Sequence, residues 1–471
     1  MSLEKIKKIV KENKIEFLDL KLCDLVGLWH HITLPVKSLK PDLFNIGVGV
    51  DGSSMPGFSS IERGDMLSVP DPSTAFIDPF FERPTLSLIC DIMDVKPTKI
   101  SPYSRNPRRV ANDSEKYLKK TIKGVNAIFG PEFEFYVFDK VNYYQGAETA
   151  FYDLDSVEAE WGASRDEENL GYKIPHKKGY HAAPPMDRTY NLRSEISSML
   201  ADVGIDLKYH HHEVGGGGQH EIEIAFDNLK RMADKSMMVK YIVKNETFRQ
   251  NKSATFMPKP LFNEPGSGLH CHMYLADKNG SIFYDKNGTA RFSETGLHFI
   301  GGLLKHVDSL LAFSNPSTNS FKRLIPGFEA PVAGTYSVGN RTACIRIPGY
   351  QRDETKMRFE FRPPDGTMNP YLAFASMLMA GIDGVKNKID PGLPLNKNLD
   401  TMPEDELNKI HKLPTSLNKA LTALENDYSY LLQDNVFTED LIENWVKIKR
   451  DEVSKIRVRP TPFEFELYYD L

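Results

Sequence analysis

Residues 130–138 place two glutamates two positions apart in an otherwise apolar stretch. Because side chains alternate between the two faces of a β-strand, we expect Glu132 and Glu134 on one face and Phe133 and Phe135 on the other. Neighbouring carboxylates repel each other and raise each other's pKa, so the pair indicates a bound cation or an acid–base pair. For this motif alone, the alternative is an edge strand with a solvated acidic face.

Three further segments show the same alternation of ionisable and apolar side chains. They are residues 210–224, with Glu213 before and Glu221 after a run of four glycines, residues 268–274 with His270 and His272, and residues 358–362 with Glu360 between Arg358 and Arg362. A purely structural core would avoid so many inward charges, so we expect these strands to present one functional site. Oxygen-rich ligation with few histidines favours Mg²⁺ or Mn²⁺ over zinc, and two such ions would suit phosphoryl transfer.

Five arginines lie close together in the sequence, namely Arg323, Arg341, Arg346, Arg358 and Arg362. Several have apolar neighbours, which argues against a solvated cationic face as the alternative. Arginine is suited to bidentate binding of carboxylate and phosphate groups. Together with the expected metals, these arginines indicate a small polyanionic substrate.

The composition is that of a folded globular protein, because 40% of the 471 residues are hydrophobic and 26% are charged. The net charge of -5 argues against nucleic acid as the main partner. No apolar run approaches the roughly 18 to 20 residues that span a bilayer, and the charged N-terminus lacks a signal-peptide core, so we expect a cytoplasmic protein without a membrane partner. The scattered Cys23, Cys90, Cys271 and Cys344 indicate reduced, mostly buried thiols.

The periodicity predicts an α+β chain with two domains. Residues 1–102 combine an amphipathic helix at 3–10 with strand-like runs at 15–20 and 86–92, and a proline-rich segment places the boundary near residue 102. In the second region, 103–471, helical patterns cover 192–203, 296–312, 371–385 and much of 417–450. Residues 139–180 lack periodicity and predict a surface insertion, and the aromatic residues 463–469 predict an extended segment.

Two glycine patterns are similar to phosphate-binding loops. Residues 47–52 match G-x-G-x-x-G, but Pro56 and Gly57 follow where a dinucleotide-binding helix should begin, so we reject that interpretation. Residues 215–218 fit either a loop that approaches phosphates or a plain turn.

Long segments of the chain make it resemble type I glutamine synthetases from end to end. They are residues 50–54, 130–134, 259–261, 266–272, 315–331 and 465–469. The resemblance implies a small β-grasp-like N-terminal domain and a large catalytic domain with a curved antiparallel sheet flanked by helices. It also implies ATP-dependent ligation of ammonia to the γ-carboxylate of L-glutamate through γ-glutamyl phosphate, which gives L-glutamine, ADP and phosphate.

The resemblance also implies roles for matching positions of this sequence. Glu134, Glu213 and Glu221 would hold one divalent metal, and Glu132, His270 and Glu360 a second. Arg323 and Arg362 would bind the substrate glutamate together with Gly266, Ser54 and Tyr180. Arg341, Arg346 and Arg358 would neutralise phosphates, the last two in an ATP site with Phe226 and His272. Asp51 would deprotonate ammonium, and Glu329 would lie on a flap that excludes water.

The family assembly implied by the resemblance is a homo-oligomer of two stacked hexameric rings, although the sequence leaves six and twelve subunits open. Each active site would form between neighbours, with Asp51 supplied by the adjacent subunit. A single subunit would then be inactive.

Three positions depart from the family pattern. Pro265 replaces an asparagine that contacts glutamate, and Tyr274 replaces a small hydroxyl residue near the adenine. Asp400 stands where adenylylated members carry the modified tyrosine, so we expect no regulation by adenylylation.

Three other functions remain open from the sequence. The nearest is a γ-glutamyl-amine ligase of the polyamine type, which Pro265 leaves open and which Asp51 and Glu329 disfavour. A carboxylate or guanidino kinase on the same fold would phosphorylate its substrate without forming an amide. A non-enzymatic scaffold would be expected to lose metal ligands, whereas all six are present.

Overall fold

The computed structural model describes residues 2–164, 169–328, 330–397 and 399–471. The N-terminal part of the chain is a sheet with two α-helices. Its elements are α1 Leu3–Glu12, β1 Phe17–Cys23, β2 Trp29–Pro35, α2 Pro41–Asn45, β3 Val48–Asp51, β4 Asp65–Pro70, β5 Phe76–Ile77, β6 Thr85–Lys96 and β7 Lys99–Pro102.

The seven strands of this sheet follow the order β2-β1-β6-β4-β3, with β5 and β7 added along β6. All strand pairs are antiparallel except β1 with β6. Ile6 of α1 packs on the sheet against Leu18, Leu20, Leu86 and Leu88, which form a small core separate from the main one. This arrangement confirms the expected small α+β unit.

The rest of the chain forms a second, larger sheet with helices around it. Its elements are α3 Pro107–Thr121, β8 Asn126–Phe138, β9 Lys140–Gln145, β10 Ala150–Asp155, α4 Tyr190–Asp202, β11 Leu207–His212, β12 Gln219–Ile224, β13 Asp227–Asn228, α5 Leu229–Arg249, β14 Ser253–Thr255, β15 Cys271–Asp277, β16 Gly280–Ser281, α6 Glu294–Lys305, α7 Val307–Ser314, α8 Ser320–Arg323, β17 Tyr336–Val338, β18 Ile345–Ile347, β19 Phe359–Phe361, α9 Pro370–Asn387, α10 Glu404–Leu407, α11 Leu417–Asn426, α12 Glu439–Arg457 and α13 Pro462–Tyr468.

The large sheet follows the order β11-β12-β8-β15-β19-β18-β17, with short strands added to β8 and β15. Its pairs are antiparallel except for β17 with β18. Strand β8 lies inside the sheet, so the alternative of an edge strand for Glu132 and Glu134 is wrong. The fold class predicted from the sequence is confirmed.

One face of β8 carries the main hydrophobic core. Phe133 and Phe135 are fully buried there, and α3 and α5 pack against the strand. Helix α9 packs in turn against α3, α5 and α6. It begins with Pro370 in its first turn, where the side chain of Asn369 accepts a hydrogen bond from the backbone N–H of Tyr371 at 3.1 Å. The opposite face of β8 is therefore free to carry the polar site.

The helix predicted over 296–312 is wrong in one respect, because it is two helices. The backbone leaves helical geometry at His306, with φ -99° and ψ 10°, between α6 and α7. The His306 ring lies between Asp383 and Asp427, at 2.9 and 2.7 Å, and stacks on Tyr430 at 3.9 Å. These tertiary contacts accompany a break that apolar periodicity does not reveal.

The extended segment predicted over 463–469 is wrong, because residues 462–468 form helix α13. The sequence contains the signal for this helix: Thr461 and Glu464 make a reciprocal capping box, and Pro462 occupies the first turn. The pattern over 417–450 likewise resolves into two helices, α11 and α12, joined by a non-helical connection. The helices predicted at 3–10, 192–203 and 371–385 are confirmed within a few residues of each end.

The surface insertion predicted over 139–180 is only partly correct. Strands β9 and β10 form an antiparallel hairpin, and all six residues of β9 are exposed. After the hairpin, however, the chain returns to the interior, where Glu158 and Ile174 are buried. The Glu158 carboxylate contacts His212 Nε2 at 3.3 Å behind the end of β11. A polar segment can thus be interior when its charged groups have partners.

The cysteines and the two glycine patterns can be compared with what the sequence predicts for them. The four cysteines are buried and free of disulfides. After β3, residues 52–54 form a single 3₁₀ turn instead of a dinucleotide-binding helix. The glycine run 215–218 is a buried turn that ends at Gly218, with φ +95°. None of the described helices is long and apolar enough to cross a membrane.

Candidate active site

The acidic face of β8 meets acidic faces on its neighbours. In the antiparallel register, Glu132 lies opposite Glu223 and Glu134 lies opposite Glu221 of β12. On the next strand, His211 of β11 lies opposite Glu221. Carboxylates from neighbouring strands are thus brought together on one side of the sheet, as the alternation predicts.

The first cluster surrounds Glu132. His270 Nδ1 lies 3.0 Å from Glu132 Oε2, and His272 Nε2 lies 2.8 Å from Oε1, so both imidazoles share one face. Glu360, on β19, lies 3.5 Å from His270 Nδ1. Burial opposes ionisation of Glu132, but its hydrogen bonds with the two histidines bring its pKa well below the usual value. Ligand atoms of Glu132, His270 and Glu360 all lie within 4.8 Å of one another.

Glu360 links this cluster to two arginines. Arg346 Nη1 donates to its Oε2 at 2.7 Å, and Arg362 donates to its Oε1. Burial alone would raise the pKa of Glu360, but the charge of Arg362 leads the effects that lower it to about 2. The carboxylate is ionised at neutral pH, as a metal ligand must be.

A second cluster has far fewer positive partners. His211 lies between Glu213 and Glu221, at 3.6 and 3.3 Å, and ligand atoms of these three residues lie within 4.8 Å of one another. Burial, followed by repulsion from Glu134 and Glu221, raises the pKa of Glu213 well above its usual value. Burial, followed by repulsion from Glu132 and Glu134, does the same for Glu221. The sequence assigned no role to His211, although its position two residues before Glu213 on a strand places both on one face.

These clusters fit divalent cations. Glu213 Oε2 is buried and accepts no hydrogen bond from the residues that the structure describes. Buried carboxylates held together with raised pKa values are costly, and a divalent ion would offset that repulsion. The donors are carboxylate oxygens with one imidazole in each cluster, a set that suits Mg²⁺ or Mn²⁺.

Arg323 closes one side of the first cluster. Its guanidinium donates to the carbonyl oxygens of Pro363 and Pro364 at 2.7 and 3.2 Å, and it lies 3.1 Å from His270 Nε2. Gly266 lies directly against it, because a Cβ at that position would be 2.6 Å from Arg323 Cγ. Arg323 and Gly266 therefore form one wall.

These groups line one cavity of about 800 Å³. The predicted residues that line it are Glu132, Glu134, Tyr180, Glu213, Glu221, Gly266, His270, Arg323, Arg341, Arg346, Glu360 and Arg362. Lys177, His181, His211 and Arg193 also line it, and the sequence had not singled these four out. We call this cavity the cleft.

Three of the four predicted ATP-site residues, Phe226, His272 and Arg358, lie together just outside the cleft, whereas Arg346 lines it. The rings of Phe226 and His272 are 6.1 Å apart, and the Arg358 guanidinium lies 5.3 Å from the Phe226 ring centroid. Tyr274 adds a third ring, 6.2 Å from Phe226. His272 connects this aromatic group to the cleft through Glu132.

Gly130 determines where the Phe226 ring can lie. A Cβ on Gly130 would be 1.8 Å from the Phe226 ring, which is impossible without displacement of the ring. Gly130 is opposite His272 in the register of β8 with β15. The absence of a side chain thus lets the aromatic ring cover the strand at this point.

Asp51 and Ser54 do not lie in the cleft of their own chain. Asp51 is exposed at the end of β3, lines a separate pocket, and accepts hydrogen bonds from the hydroxyls of Ser53 and Ser54 at 2.7 and 2.8 Å. The bonds from these serines lower the pKa of Asp51. Ser54 remains beside Asp51, and Glu329 lies outside the described residues.

Comparison with known proteins gives a consistent result over the whole chain. A family model described as glutamine synthetase, catalytic domain, matches residues 104–468, and one described as glutamine synthetase, beta-Grasp domain, matches residues 14–95. The glutamine synthetase of Aquifex aeolicus is 47% identical over 468 residues, with 99% of each chain covered. That of Mycobacterium tuberculosis is 45% identical over 470 residues, with 98% of each covered.

Solved structures show the same similarity. The cryo-EM structure of Plasmodium falciparum glutamine synthetase has a TM-score of 0.90 at 28% identity, covering 100% of this chain and 99% of that one. A GmaS/ADP complex has a TM-score of 0.81 at 27% identity, covering 98% and 99%.

Proposed function

This chain belongs to the glutamine synthetase family and is a glutamine-forming enzyme, and we propose that the cleft is where it joins ammonia to the γ-carboxylate of L-glutamate at the expense of ATP. The observation that carries this assignment to the cleft is the convergence of the six expected metal ligands on one side of the large sheet. The γ-glutamyl-amine alternative is not favoured, because the full-length relatives are named glutamine synthetases.

The chemistry of the reaction explains the mixture of charges in the cleft. A carboxylate is a poor electrophile because oxide is a poor leaving group, so the γ-carboxylate is first phosphorylated by ATP to γ-glutamyl phosphate. Ammonia then attacks the carbonyl carbon, and phosphate leaves. Bringing a carboxylate against a triphosphate requires positive groups to offset their repulsion.

We propose that two divalent cations, Mg²⁺ or Mn²⁺, bind in the cleft. Glu132, His270 and Glu360 would hold one, and Glu134, Glu213 and Glu221 the other, with His211 beside the second. When bound, such ions neutralise and orient phosphate oxygens. The low pKa of Glu360 supports the first assignment, and the Oε2 atom of Glu213, which accepts no hydrogen bond from the described residues, supports the second.

Different arginines would bind the carboxylates of glutamate and the phosphate groups. Arg323 and Arg362 would bind the carboxylates of glutamate, next to the close backbone of Gly266. Arg341 is exposed to the cleft, where it would neutralise the phosphoryl group in transfer. Arg346 would do so from beside Glu360, where it already donates a hydrogen bond.

The aromatic group outside the cleft would bind ATP. Phe226 and His272 would contact the nucleotide, and Arg358 would offset phosphate charge from above the Phe226 ring. The ring of Tyr274, next to Phe226, narrows the proposed ATP site. The relative described as a GmaS/ADP complex supports a nucleotide site in this fold.

We propose that the enzyme works as a homo-oligomer of stacked hexameric rings with active sites between subunits. Asp51 and Ser54 lie outside the cleft of their own chain, while β11 leaves an open sheet edge beside the cleft. A neighbouring subunit would supply Asp51 to remove a proton from ammonium, with Tyr180 and Glu213 nearby.

The C-terminal helix supports an assembly. Phe463 and Phe465 of α13 and Tyr469 directly after it are 60%, 57% and 78% exposed. Aromatic residues exposed together are typical of surfaces that another chain covers. We also propose that the boundary between the two domains lies near residue 102 and that the protein is cytoplasmic.

One assay tests the reaction. Purified enzyme with ATP, glutamate and Mg²⁺ should release phosphate and form glutamine with ammonium, and should use a panel of other amines far less well. Phosphate release that depends on an amine other than ammonium would overturn the proposed substrate.

A second experiment tests the shared site. Asp51→Ala and Glu360→Ala chains should each be inactive, yet regain part of the activity when co-assembled, because some interfaces combine an intact Asp51 with an intact cleft. No recovery in mixed oligomers, verified by mass, would contradict a site shared between subunits.

A further inference from the structure

The histidine that directly precedes Glu213 lies behind the cleft. Strand alternation puts His211 and Glu213 on the cleft side and turns His212 to the other face of the sheet. The side chain of His212 has no exposed surface, and its ring lies 5.0 Å from that of His220, its partner on β12. The His220 ring in turn lies 5.7 Å from that of Phe135, so both imidazoles are on the core side of the sheet.

Glu213 is the first residue after β11, and the pairing of β11 with β12 ends at His212. The backbone N–H of Glu213 donates to the carbonyl oxygen of Gln219 at 2.8 Å. Its own carbonyl oxygen lies 2.7 Å from His212 Nδ1. Because a carbonyl can only accept, the ring nitrogen donates this hydrogen bond. The His212 ring thus fixes the backbone of the residue whose carboxylate faces the proposed second ion.

Other groups hold the His212 ring in this orientation. Its Nε2 lies 3.3 Å from Oε2 of Glu158, which is buried. The second oxygen of Glu158 accepts a hydrogen bond from the backbone N–H of Arg188 at 2.6 Å and one from the Thr189 hydroxyl at 3.3 Å. The ring is therefore held at both nitrogens, and Glu158 is itself held by a segment that follows it in the chain.

The loop that carries Tyr180 covers the same hydrogen bond. The backbone N–H of His181 donates to the carbonyl oxygen of His212 at 3.0 Å. A Cβ at Gly179 would be 2.4 Å from the carbonyl oxygen of Glu213 and 2.6 Å from His212 Cε1. The missing side chain therefore lets the loop pack directly on the ring and on the carbonyl that it holds.

We propose that His212 is a positioning residue for the second metal site, because its hydrogen bond to the Glu213 carbonyl holds the Glu213 carboxylate where it can bind the ion. The inference rests on the proposed function, since it concerns one of the two ions assigned to the cleft. His212 acts through Glu213 and not by contact with the ion. Loss of partners that orient metal ligands lowers metal affinity by about 10- to 100-fold.

Two substitutions separate the two nitrogens of the ring. The amide of asparagine can replace Nδ1 and that of glutamine can replace Nε2. His212→Asn therefore keeps a donor near the Glu213 carbonyl, whereas His212→Gln keeps one near Glu158. If His212 only filled space in the core, the two variants would bind metal alike.

The test is titration of the purified enzyme with Mn²⁺, followed by the electron paramagnetic resonance signal of the free ion. The dissociation constant that Glu360→Gln leaves unchanged belongs to the second site. His212→Gln should raise this constant about 10-fold or more, and His212→Asn by less than about three-fold. Neither variant should change the constant of the first site.

His306→Gln is the matched control. It also removes a buried histidine that contacts carboxylates, but at the break between α6 and α7. It should lower the free energy of unfolding, measured with urea, and leave both Mn²⁺ constants unchanged.

Gly179→Ala tests the same hydrogen bond with His212 in place. Its methyl group would displace the Glu213 carbonyl and should weaken Mn²⁺ binding at the second site alone. The positioning role is wrong if this variant or His212→Gln binds the second ion as tightly as the wild type does, or if both His212 variants lose affinity equally. A wild type that binds both ions but forms no glutamine would overturn the proposed function and leave the role of His212 intact.

Discussion

Two groups of carboxylates in this molecule, one of aspartates and one of glutamates, have opposite electrostatics. In the first, which we call the Arg108 network, the buried guanidinium of Arg108 contacts Asp71 and Asp91 at 2.7 Å each and Asp234 at 2.9 Å. In the second, the cleft, Glu213 and Glu221 lie on either side of His211, and Glu134 lies 3.5 Å from His270 of the first cluster.

The pKa directions express this difference. Burial opposes ionisation of Asp71, but the charge of Arg108 lowers its pKa, whereas burial and mutual repulsion raise those of Glu213 and Glu221. The Arg108 network joins the N-terminal sheet to α3 and α5. Its negative charges are paired with a positive one, as expected for a contact that fixes the position of these elements. Unmatched carboxylates in the cleft indicate a site that binds a positive ligand. Charge balance therefore distinguishes a structural network from a binding site better than residue type does.

Removing the cation from the matched network should have the largest effect on stability. We expect Arg108→Met to lower the free energy of unfolding by about 3–5 kcal/mol, because it leaves buried carboxylates uncompensated. Urea unfolding measures this, and the folded fraction should keep its rate of glutamine formation. A variant as stable as the wild type would show that the network does not join the two sheets.

Neutralising one carboxylate of the cleft should lower the activity and raise the stability of the metal-free protein, which is the opposite of what we expect for Arg108→Met. Glu221→Gln should lower the rate of glutamine formation by about 10²–10³, while the metal-free protein becomes more stable because a repulsive charge is gone. Glu195→Gln, at an exposed position of α4, serves as the control for both measurements. Loss of stability in Glu221→Gln would contradict the interpretation of the cleft as unbalanced.

Metal binding should balance the charges of the carboxylates in the cleft, as Arg108 already does for those of the Arg108 network. At a Mg²⁺ concentration 100 times the Kd, we expect the free energy of unfolding to rise by about 2.7 kcal/mol per site. Thermal unfolding with and without chelator tests this, and Arg108→Met should retain the increase. An equal increase in the Glu134→Gln, Glu360→Gln double variant would place the ion elsewhere.

The change of the free energy of unfolding with pH should be the smallest of these effects. Its sign is specific, because carboxylates with raised and with lowered pKa values change the stability in opposite directions. Because folding raises the pKa of Glu213 and Glu221 above 4.5, the metal-free folded state binds extra protons, so stability falls as pH rises from 4.5 through the raised values. Each extra proton contributes a slope of about 1.4 kcal/mol per pH unit.

Asp71 has the opposite sign, since stability from its lowered pKa is lost as pH falls below 3.8. Chemical unfolding of the metal-free protein between pH 4 and pH 8 should therefore show a decline. In a Glu213→Gln, Glu221→Gln double variant the decline should become shallower, with the remainder coming from groups such as Glu223, whose pKa burial also raises. A decline that persists undiminished in this variant would assign it to other groups.

Much of the cleft could be predicted because strand alternation is a local rule. The spacing of Glu132 and Glu134, of His270 and His272, and of Glu213 and His211 fixes which side chains share a face without knowledge of the fold. The order of the strands in the sheet does not follow from local sequence. It was implied by the resemblance to a known family. The low pKa of Glu360 is led by the charge of Arg362, which the alternation places on the same face, whereas the hydrogen bond that Arg346 donates comes from another strand, β18, and no local pattern reveals it.

Other features required three-dimensional contacts. The break at His306 occurs inside an unbroken apolar pattern, where contacts from α9 and the end of α11 meet the ring. Helix α13 had a local signal, the Thr461 capping box, that its aromatic content obscured. The contact of Lys259 with Phe328 joins two loops 69 positions apart, which no periodicity encodes.

Gly130 opens the motif that also contains Glu132 and Glu134, yet it contributes no chemistry. Since even a methyl group there would occupy the place of the Phe226 ring, every other amino acid would move the aromatic surface toward the space proposed for the nucleotide. A Gly130→Ala enzyme would keep all its ligands and charges and still be selected against. At this position natural variation is limited by volume, and a mutational scan should recover glycine as strictly as it recovers the acids beside it.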